Sequence, residues 1–400
     1  MFQLFNSARK EEIKGEGSFS YLHAESYYFD SACQTLRPKE VIDAEREYYE
    51  GFNACGGRVK YKWGQKVDEK VAEARKEILK LIGKSERDYA VVFTLNTTMG
   101  INMVLHQLPV HSFEGIITSD IEHNSVFLPT MTWAEKNTKK RAVIERKEDG
   151  SIDVDLLPSR KNILLVNTVS NIDGRILTNV KEVADTIHKH GGLSLFDCAQ
   201  MFSFHADLLK NVDFDAAFGS GHKMYGPSIG FIVIKKSLLQ SMEPYFIGGG
   251  TVEDVHENIY SLVTDPNELH SLLEPGLQNW AGIVGLLEAI RWKKKYKSEA
   301  TEKLGEELFK AVESMEGVCL INKEPSTTIS FYTEKIDSHQ LALYLAEQNI
   351  MCRSGYFCCH YYLKNKKKYP PLLRVSLGVH STKKDVDHFI NILSLLLKHS

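Results

Sequence analysis

The sequence predicts an α/β protein: a large domain built on a mostly parallel sheet flanked by helices, followed by a small α+β C-terminal domain. Three observations predict it. Short apolar runs alternate with amphipathic stretches of helical period through most of the chain, which is the grammar of strand–helix–strand units. Those runs are almost continuously apolar, as strands covered on both faces are. From about residue 285 onward the pattern changes to a long helical stretch and a smaller mixed unit. Four hundred residues are also more than one compact core usually serves. The expected divisions are an N-terminal segment, 1–25, packing on the small domain; a large α/β domain, 26–285; and a small domain, 286–400.

Taken in order, YAVVFT (89–94), EGIITS (114–119), NILLVNTVS (162–170), GLSLFD (192–197), FDAAFGS (214–220) and GFIVIKK (230–236) read as buried strands. VDEKVAEARKEILKLIG (67–83) and NVKEVADTIHKHGG (179–192) read as amphipathic helices, the second with a glycine stop. The stretch 282–315 reads as one long helix leading away from the sheet. TTISFYT (327–333) then gives a strand, SHQLALYLAEQ (338–348) a helix and VDHFINILSLLLK (386–398) a terminal helix. Sheets of this kind bind ligands at the carboxyl ends of their strands.

Composition excludes several classes. Apolar and charged fractions of 43% and 25% are ordinary globular values, so disordered and fibrous classes fall away. A net charge of −3 gives no case for a nucleic-acid or anionic membrane partner. The basic run LKNKKKYPP reads as a solvated loop. No apolar stretch is long enough for a membrane span, and MFQLFNSARKEEIKGEG lacks the parts of a secretory leader. Seven scattered cysteines, an odd number, point to reduced thiols and a cytoplasmic location. No cysteine–histidine spacing suits a metal, so none is expected.

The stretch FDCAQMFSFHADLLKNVDFDAAFGSGHKMYGP places Asp197 after one apolar run and Lys223 after another. Taken singly, such a lysine is a surface residue and such an aspartate a helix cap. Together they answer the needs of a phosphorylated aldehyde cofactor. A lysine amine forms a Schiff base with an aldehyde once burial or nearby positive charge lowers its pKa. A carboxylate beside a pyridine nitrogen keeps it protonated and the ring an electron sink, as pyridoxal 5'-phosphate requires. A phosphate wants hydroxyls and backbone N–H groups at a helix start; TLNTTMGIN supplies Thr97 and Thr98 just after a strand. Ser220 and His222 can add donors to the same phosphate.

Asp197-x-x-Gln200, Ser220-Gly221-His222-Lys223 and Gly226-Pro227 resemble the signature of the class V aminotransferase family, of the pyridoxal-phosphate-dependent transferase fold type I. Within it the sequence most resembles the cysteine desulfurase and selenocysteine lyase branch. The resemblance makes His123, in IEHNSVFLP, the histidine that stacks on the pyridine ring, and Gln200 a cofactor contact. It makes Asn171, in VSNIDGRI, a cofactor or substrate contact. Arg374, in LLRVSLGVH, becomes the partner of a substrate carboxylate, a pairing that suits the planar guanidinium. It further implies a small amino-acid substrate, a homodimer and a sulfur-acceptor protein.

The cofactor leaves the reaction open, since one scaffold supports transamination, elimination and sulfur abstraction. Arg353-x-Gly355-x-x-Cys358 resembles the short loop whose cysteine attacks the substrate sulfur and carries it as a persulfide. Arg353, His360 and the lysine run are expected to supply the positive field a thiolate needs, and Arg353 also to bind substrate. Where relatives lend a threonine to the partner subunit's phosphate, this sequence has Leu277, with Thr251 as a substitute. The expected activity is sulfur abstraction from L-cysteine with Lys223, His123 and Cys358 as catalytic residues. The alternatives are an aminotransferase or C–S lyase without a cysteine nucleophile, and a non-catalytic binding module.

Overall fold

The computed structural model describes residues 17–23, 25–57, 59–296 and 299–398. Seven short runs pair into the main sheet: β1 (Tyr89–Thr94), β2 (Gly115–Ser119), β3 (Lys140–Ile144), β4 (Asn162–Asn167), β5 (Leu193–Asp197), β6 (Ala216–Ser220) and β7 (Gly230–Lys235). Their order across the sheet is β1-β7-β6-β5-β4-β2-β3. Only β7 runs antiparallel to its neighbours. All six strands expected from the sequence are present. The edge strand β3, KRAVI, was not expected, because it is mostly half-exposed and carries no continuous apolar run.

Alternation along the strands builds two cores. Val91, Phe93, Leu164, Val166, Phe196 and Val233 face the helices Lys62–Leu81, Val180–Lys189 and Trp280–Lys293. Val92, Ile163, Leu165, Leu195, Phe218 and Ile232 face Thr97–Gln107 and Asn124–Lys136. The strand register then aligns the polar ends: Asn167 lies opposite Asp197, and Asp197 opposite Phe218.

A second, antiparallel sheet has the order β8-β9-β11-β10, from β8 (Val318–Leu320), β9 (Thr328–Thr333), β10 (Arg353–Gly355) and β11 (Leu372–Ser376). Helices Glu299–Glu313, Ser338–Glu347 and Lys383–Lys398 cover it. The helix expected over 282–315 is instead two, Trp280–Lys293 and Glu299–Glu313. The first ends by tightening: the N–H groups of Lys295 and Tyr296 reach the carbonyls three residues back, where the sequence offers only lysines and a tyrosine to bury. The expected boundary at 285/286 falls inside that first helix, whose Ile283, Leu286, Leu287 and Ile290 pack in the main core.

Most of the expected N-terminal segment, 1–16 and residue 24, lies outside the described residues. Phe19 meets Trp292 and His380 edge-on, at 5.6 and 5.7 Å. Tyr27–Tyr28 pairs in parallel with Ile350–Met351, and Phe29 joins the core of the second sheet. The chain therefore returns early to the C-terminal unit before building the main sheet.

One buried ion pair fastens the sheet edge. Glu274 accepts two hydrogen bonds from Arg75, at 2.9 and 2.6 Å, and one from the Phe93 amide. Removing the acid strands a guanidinium and an amide in the interior. Glu274→Ala is expected to cost about 3–5 kcal/mol in urea unfolding, and Arg75→Met/Glu274→Leu together much less.

Candidate active site

A cavity of about 330 Å³ opens at the carboxyl ends of β4, β5 and β6, and every site residue expected from the sequence lines it. Those residues come from both sheets. Thr97, Thr98, His123, Asn171, Asp197, Gln200, Ser220, His222 and Lys223 belong to the main unit, and Arg353, Cys358 and Arg374 to the second.

Asp197 ends β5 and accepts the Ala199 N–H at 2.9 Å. Burial raises its pKa, while the Ala199 amide and Lys223 oppose the shift. Lys223 closes a single helical turn, Gly221–Lys223, directly after β6. A side chain at residue 221 would come within 2.7 Å of the Pro227 carbonyl, so glycine lets the turn close. Ser203 Oγ donates to the Lys223 carbonyl. Burial lowers the Lys223 pKa and Asp197 resists it. The lysine is thereby moved toward the neutral, nucleophilic form.

His123 is the N-cap of the helix Asn124–Lys136; its Nδ1 accepts the Ser125 N–H at 3.1 Å. Burial, then Lys223, Arg374 and Arg353, lower its pKa to about 3. The ring is neutral and its flat face is free of charge of its own. A second helix start lies beside it. Asn96 caps Thr97–Gln107 by accepting the Met99 N–H at 2.9 Å, and Thr98 Oγ1 meets Ser125 Oγ at 2.7 Å. Two helix N-termini thus converge on the cavity, the arrangement that holds phosphate. Ser220 Oγ pairs with His222 Nδ1 at 2.9 Å. Thr97 turns its hydroxyl to the Gly219 carbonyl at 2.8 Å, which ties the helix start to β6.

The opposite wall is cationic. Arg374 and Arg353 face each other across β11 and β10. Arg374 donates to the Asn171 carbonyl and to Asp30, both at 2.9 Å, and lies 4.7 Å from the centre of the Phe357 ring. Arg353 donates to Cys33 Sγ and stands 3.9 Å from Asp30. Asn171 Nδ2 donates to the Phe357 carbonyl at 2.9 Å, and its Oδ1 accepts the Cys359 thiol at 3.1 Å. Gln200 Nε2 donates to the Ala32 carbonyl at 2.7 Å. Cys358 is exposed, and it and Phe357 both adopt the left-handed conformation, with φ of 57° and 46°. Cys359 is buried, and burial pushes its thiol pKa up.

Lys366 pairs with Asp120 and Glu145, at 2.6 and 3.1 Å, and His360 Nδ1 lies 3.3 Å from Asn124 Nδ2. Neither Leu277 nor Thr251 lines the cavity; Thr251 is buried and donates to the Gly248 carbonyl at 2.8 Å. Sequence reasoning missed Asp30, Cys33 and Asn167. Asn167 was hidden inside an expected strand, and nothing local in FDSACQ marks a segment that returns to the cavity.

Two buried polar atoms on the wall have no partner among the described residues, Arg374 Nε and Asn167 Oδ1. With a buried lysine over a buried aspartate, a neutral imidazole and a hydroxyl-lined pair of helix starts, the wall has the donors and acceptors that a phosphorylated pyridine aldehyde needs. Fold and site together define a transferase of the pyridoxal-phosphate fold type I. The chain belongs to the aminotransferase class-V family, whose model matches residues 27–389. It is similar to a probable cysteine desulfurase of Pyrococcus abyssi, at 31% identity covering 94% of this chain and 96% of that protein. It is also similar to the cysteine desulfurase CsdA of Escherichia coli, at 28% identity over 95% of this chain and 96% of CsdA. The apo structure of the cysteine desulfurase from Thermococcus onnurineus matches with a TM-score of 0.86 and 26% identity, covering 98% of this chain and all of that one.

Because His123 is held neutral, the unfolded chain binds a proton there before the native one does. Its contribution to stability is present above its ordinary value of 6.5 and is lost as pH falls toward about 3. The His123 ring resonances, assigned with a His123→Asn variant, are expected to show no titration between about pH 5 and pH 8. A midpoint near the ordinary histidine value would refute this burial argument.

Proposed function

We propose that the chain is a pyridoxal-phosphate-dependent cysteine desulfurase that converts L-cysteine and the Cys358 thiol into alanine and a Cys358 persulfide. The observation that carries the proposal is one cavity holding Lys223, Asp197, Arg374 and an exposed cysteine. Bound there, the cofactor supplies an electron sink that loosens bonds at the substrate's α-carbon.

The chain's own residues divide the remaining work. Lys223 Nζ would hold the cofactor through its aldehyde, and its amine is the group placed to move the substrate's α-proton. The Asp197 carboxylate would pair with the pyridine nitrogen and keep it protonated. His123, neutral and fixed through Nδ1, would pack against the cofactor and share in proton movement. Thr97, Thr98, Ser220 and His222 would hold the phosphate, with Gln200 and Asn171 as further cofactor contacts. Arg374 clamps the substrate carboxylate, with Asn171 and Arg353 at its sides. Cys358 Sγ attacks the substrate sulfur; the carbon–sulfur bond breaks toward carbon, which takes up a proton to become the methyl group of alanine. Atoms balance: the sulfur added to Cys358 is the one that cysteine loses. Lys366 is taken up by Asp120 and Glu145, while Arg353 and Arg374 are cations that line the cavity together with Cys358.

A division after the helix Trp280–Lys293 gives the cofactor to the larger unit and the loop bearing Cys358 to the smaller. Exposed Leu95, Tyr245, Phe246, Val255, Ile259, Tyr260 and Leu277 support a homodimer. The exposure of Cys358 at the rim supports delivery to an acceptor protein. Seven free cysteines support a reducing, cytoplasmic location; among the described residues no helix is long and apolar enough to cross a membrane.

Purified protein reconstituted with pyridoxal phosphate and given L-cysteine is expected to yield alanine and a persulfide on Cys358. Cys358→Ala is expected to lower alanine formation by roughly 10²-fold or more while the bound-cofactor absorbance stays, and Lys223→Ala to abolish that absorbance. Pyruvate in place of alanine, or a keto acid with Cys358→Ala unimpaired, would replace this reading with the lyase or the aminotransferase.

A further inference from the structure

The cavity holds a second thiol that the reaction above does not use. Cys33 lines the same wall as Cys358 and is half-buried, with its sulfur accepting a hydrogen bond from Arg353 Nη1. Its setting differs from that of the chain's packing cysteines. Cys198 and Cys359 are buried within apolar clusters and Cys352 packs against one, whereas Cys33 belongs to none of them. It is also held firmly. Its N–H donates to the Asp30 carbonyl at 3.0 Å, the preceding amide to Ser376 Oγ at 2.9 Å, and Thr35 N–H to the His222 carbonyl at 2.9 Å. The segment is thus fixed to both units, with its thiol turned to the ligand space.

The electrostatics there call for an anion. Arg353 and Arg374 stand opposite each other, and among the described residues Asp30 is the one acid shared between them. A sulfur anion on Cys33 would lie against Arg353, and the same guanidinium would hold a persulfide there. Cys358, by contrast, sits exposed on a left-handed turn with its carbonyl held by the Asn124 N–H at 2.6 Å.

We propose that Cys33 is a second sulfur-carrying residue, which takes the sulfane sulfur from the Cys358 persulfide within the cavity. This rests on the desulfurase reading. The Cys33 thiolate attacks the outer sulfur of the persulfide, a new S–S bond forms at Cys33, and the old one breaks to release Cys358 as a thiolate. The proton that Cys33 gives up returns to Cys358. No oxidant or reductant is consumed, and Cys358 is free for a second substrate.

The test follows sulfur in the full-length holoenzyme without reductant or acceptor. L-cysteine is added, portions are quenched with iodoacetamide at intervals, and the peptides of Cys33 and Cys358 are examined by mass spectrometry. The adduct of a persulfide is expected first on Cys358 and later on Cys33. The burst of alanine is expected to be about twofold larger in the wild type than in Cys33→Ser. In Cys358→Ser no persulfide should reach Cys33. Persulfide confined to Cys358, or Cys33 loading in Cys358→Ser, would overturn the relay and leave the desulfurase standing. Absence of both alanine and any persulfide would overturn the two together. The wild-type mapping decides the matter even if Cys33→Ser folds poorly.

Discussion

The guanidinium of Arg374 is the point at which the parts of the molecule meet. It comes from β11 of the second sheet, donates to the Asn171 carbonyl of the main unit and to Asp30 of the returning N-terminal segment, and lies over Phe357 of the loop that carries Cys358. A buried cation of this kind is held in place only if its acceptors are. The position of the second sheet over the strand ends, the course of residues 27–35 and the shape of the loop before Cys358 are therefore coupled through one side chain. Its buried Nε, without a partner among the described residues, leaves one donor of that arrangement for a ligand.

The same wall sets the protonation of the groups opposite. Burial is the leading cause of the lowered pKa at both His123 and Lys223, and Arg374 adds to each. Asp197 pulls Lys223 the other way and is itself pushed up by burial. A neutral imidazole, a weakened ammonium and a carboxylate thus occupy one small space without three charges having to be solvated separately. The arrangement depends on domain contact: without the second sheet, the two guanidiniums and much of the burial would be lost together.

The large sheet was legible because its strands are buried on both faces and so carry continuous apolar runs, as in NILLVN and GFIVIK. Its edge strand KRAVI was not, since a half-exposed edge has no such run. The helix 282–315 looked unbroken because the residues between its two halves, KKYKS, include no glycine or proline to mark a stop. In the site, Lys223, Asp197 and the threonines stood out because they sit at strand ends, in an order that chemistry explains. Asp30 and Cys33 did not. Their roles arise from a chain return of more than three hundred residues, Asp30 to Arg374 and Cys33 to Arg353, which no local pattern encodes.

The adjacent cysteines show how little sequence separates chemistry from packing. Phe357 and Cys358 are both left-handed, a conformation that costs non-glycine residues energy and persists only where surroundings enforce it. The enforcement is visible: Asn171 holds the Phe357 carbonyl, and the Asn124 N–H holds that of Cys358. The consequence is a reversal that leaves Cys358 exposed on the cavity and turns Cys359 inward, where its thiol donates to Asn171. One asparagine therefore fixes the loop from both sides, and its own backbone carbonyl is the acceptor that anchors Arg374. The residue that seats Arg374 is also the one that gives the two adjacent sulfurs their different settings.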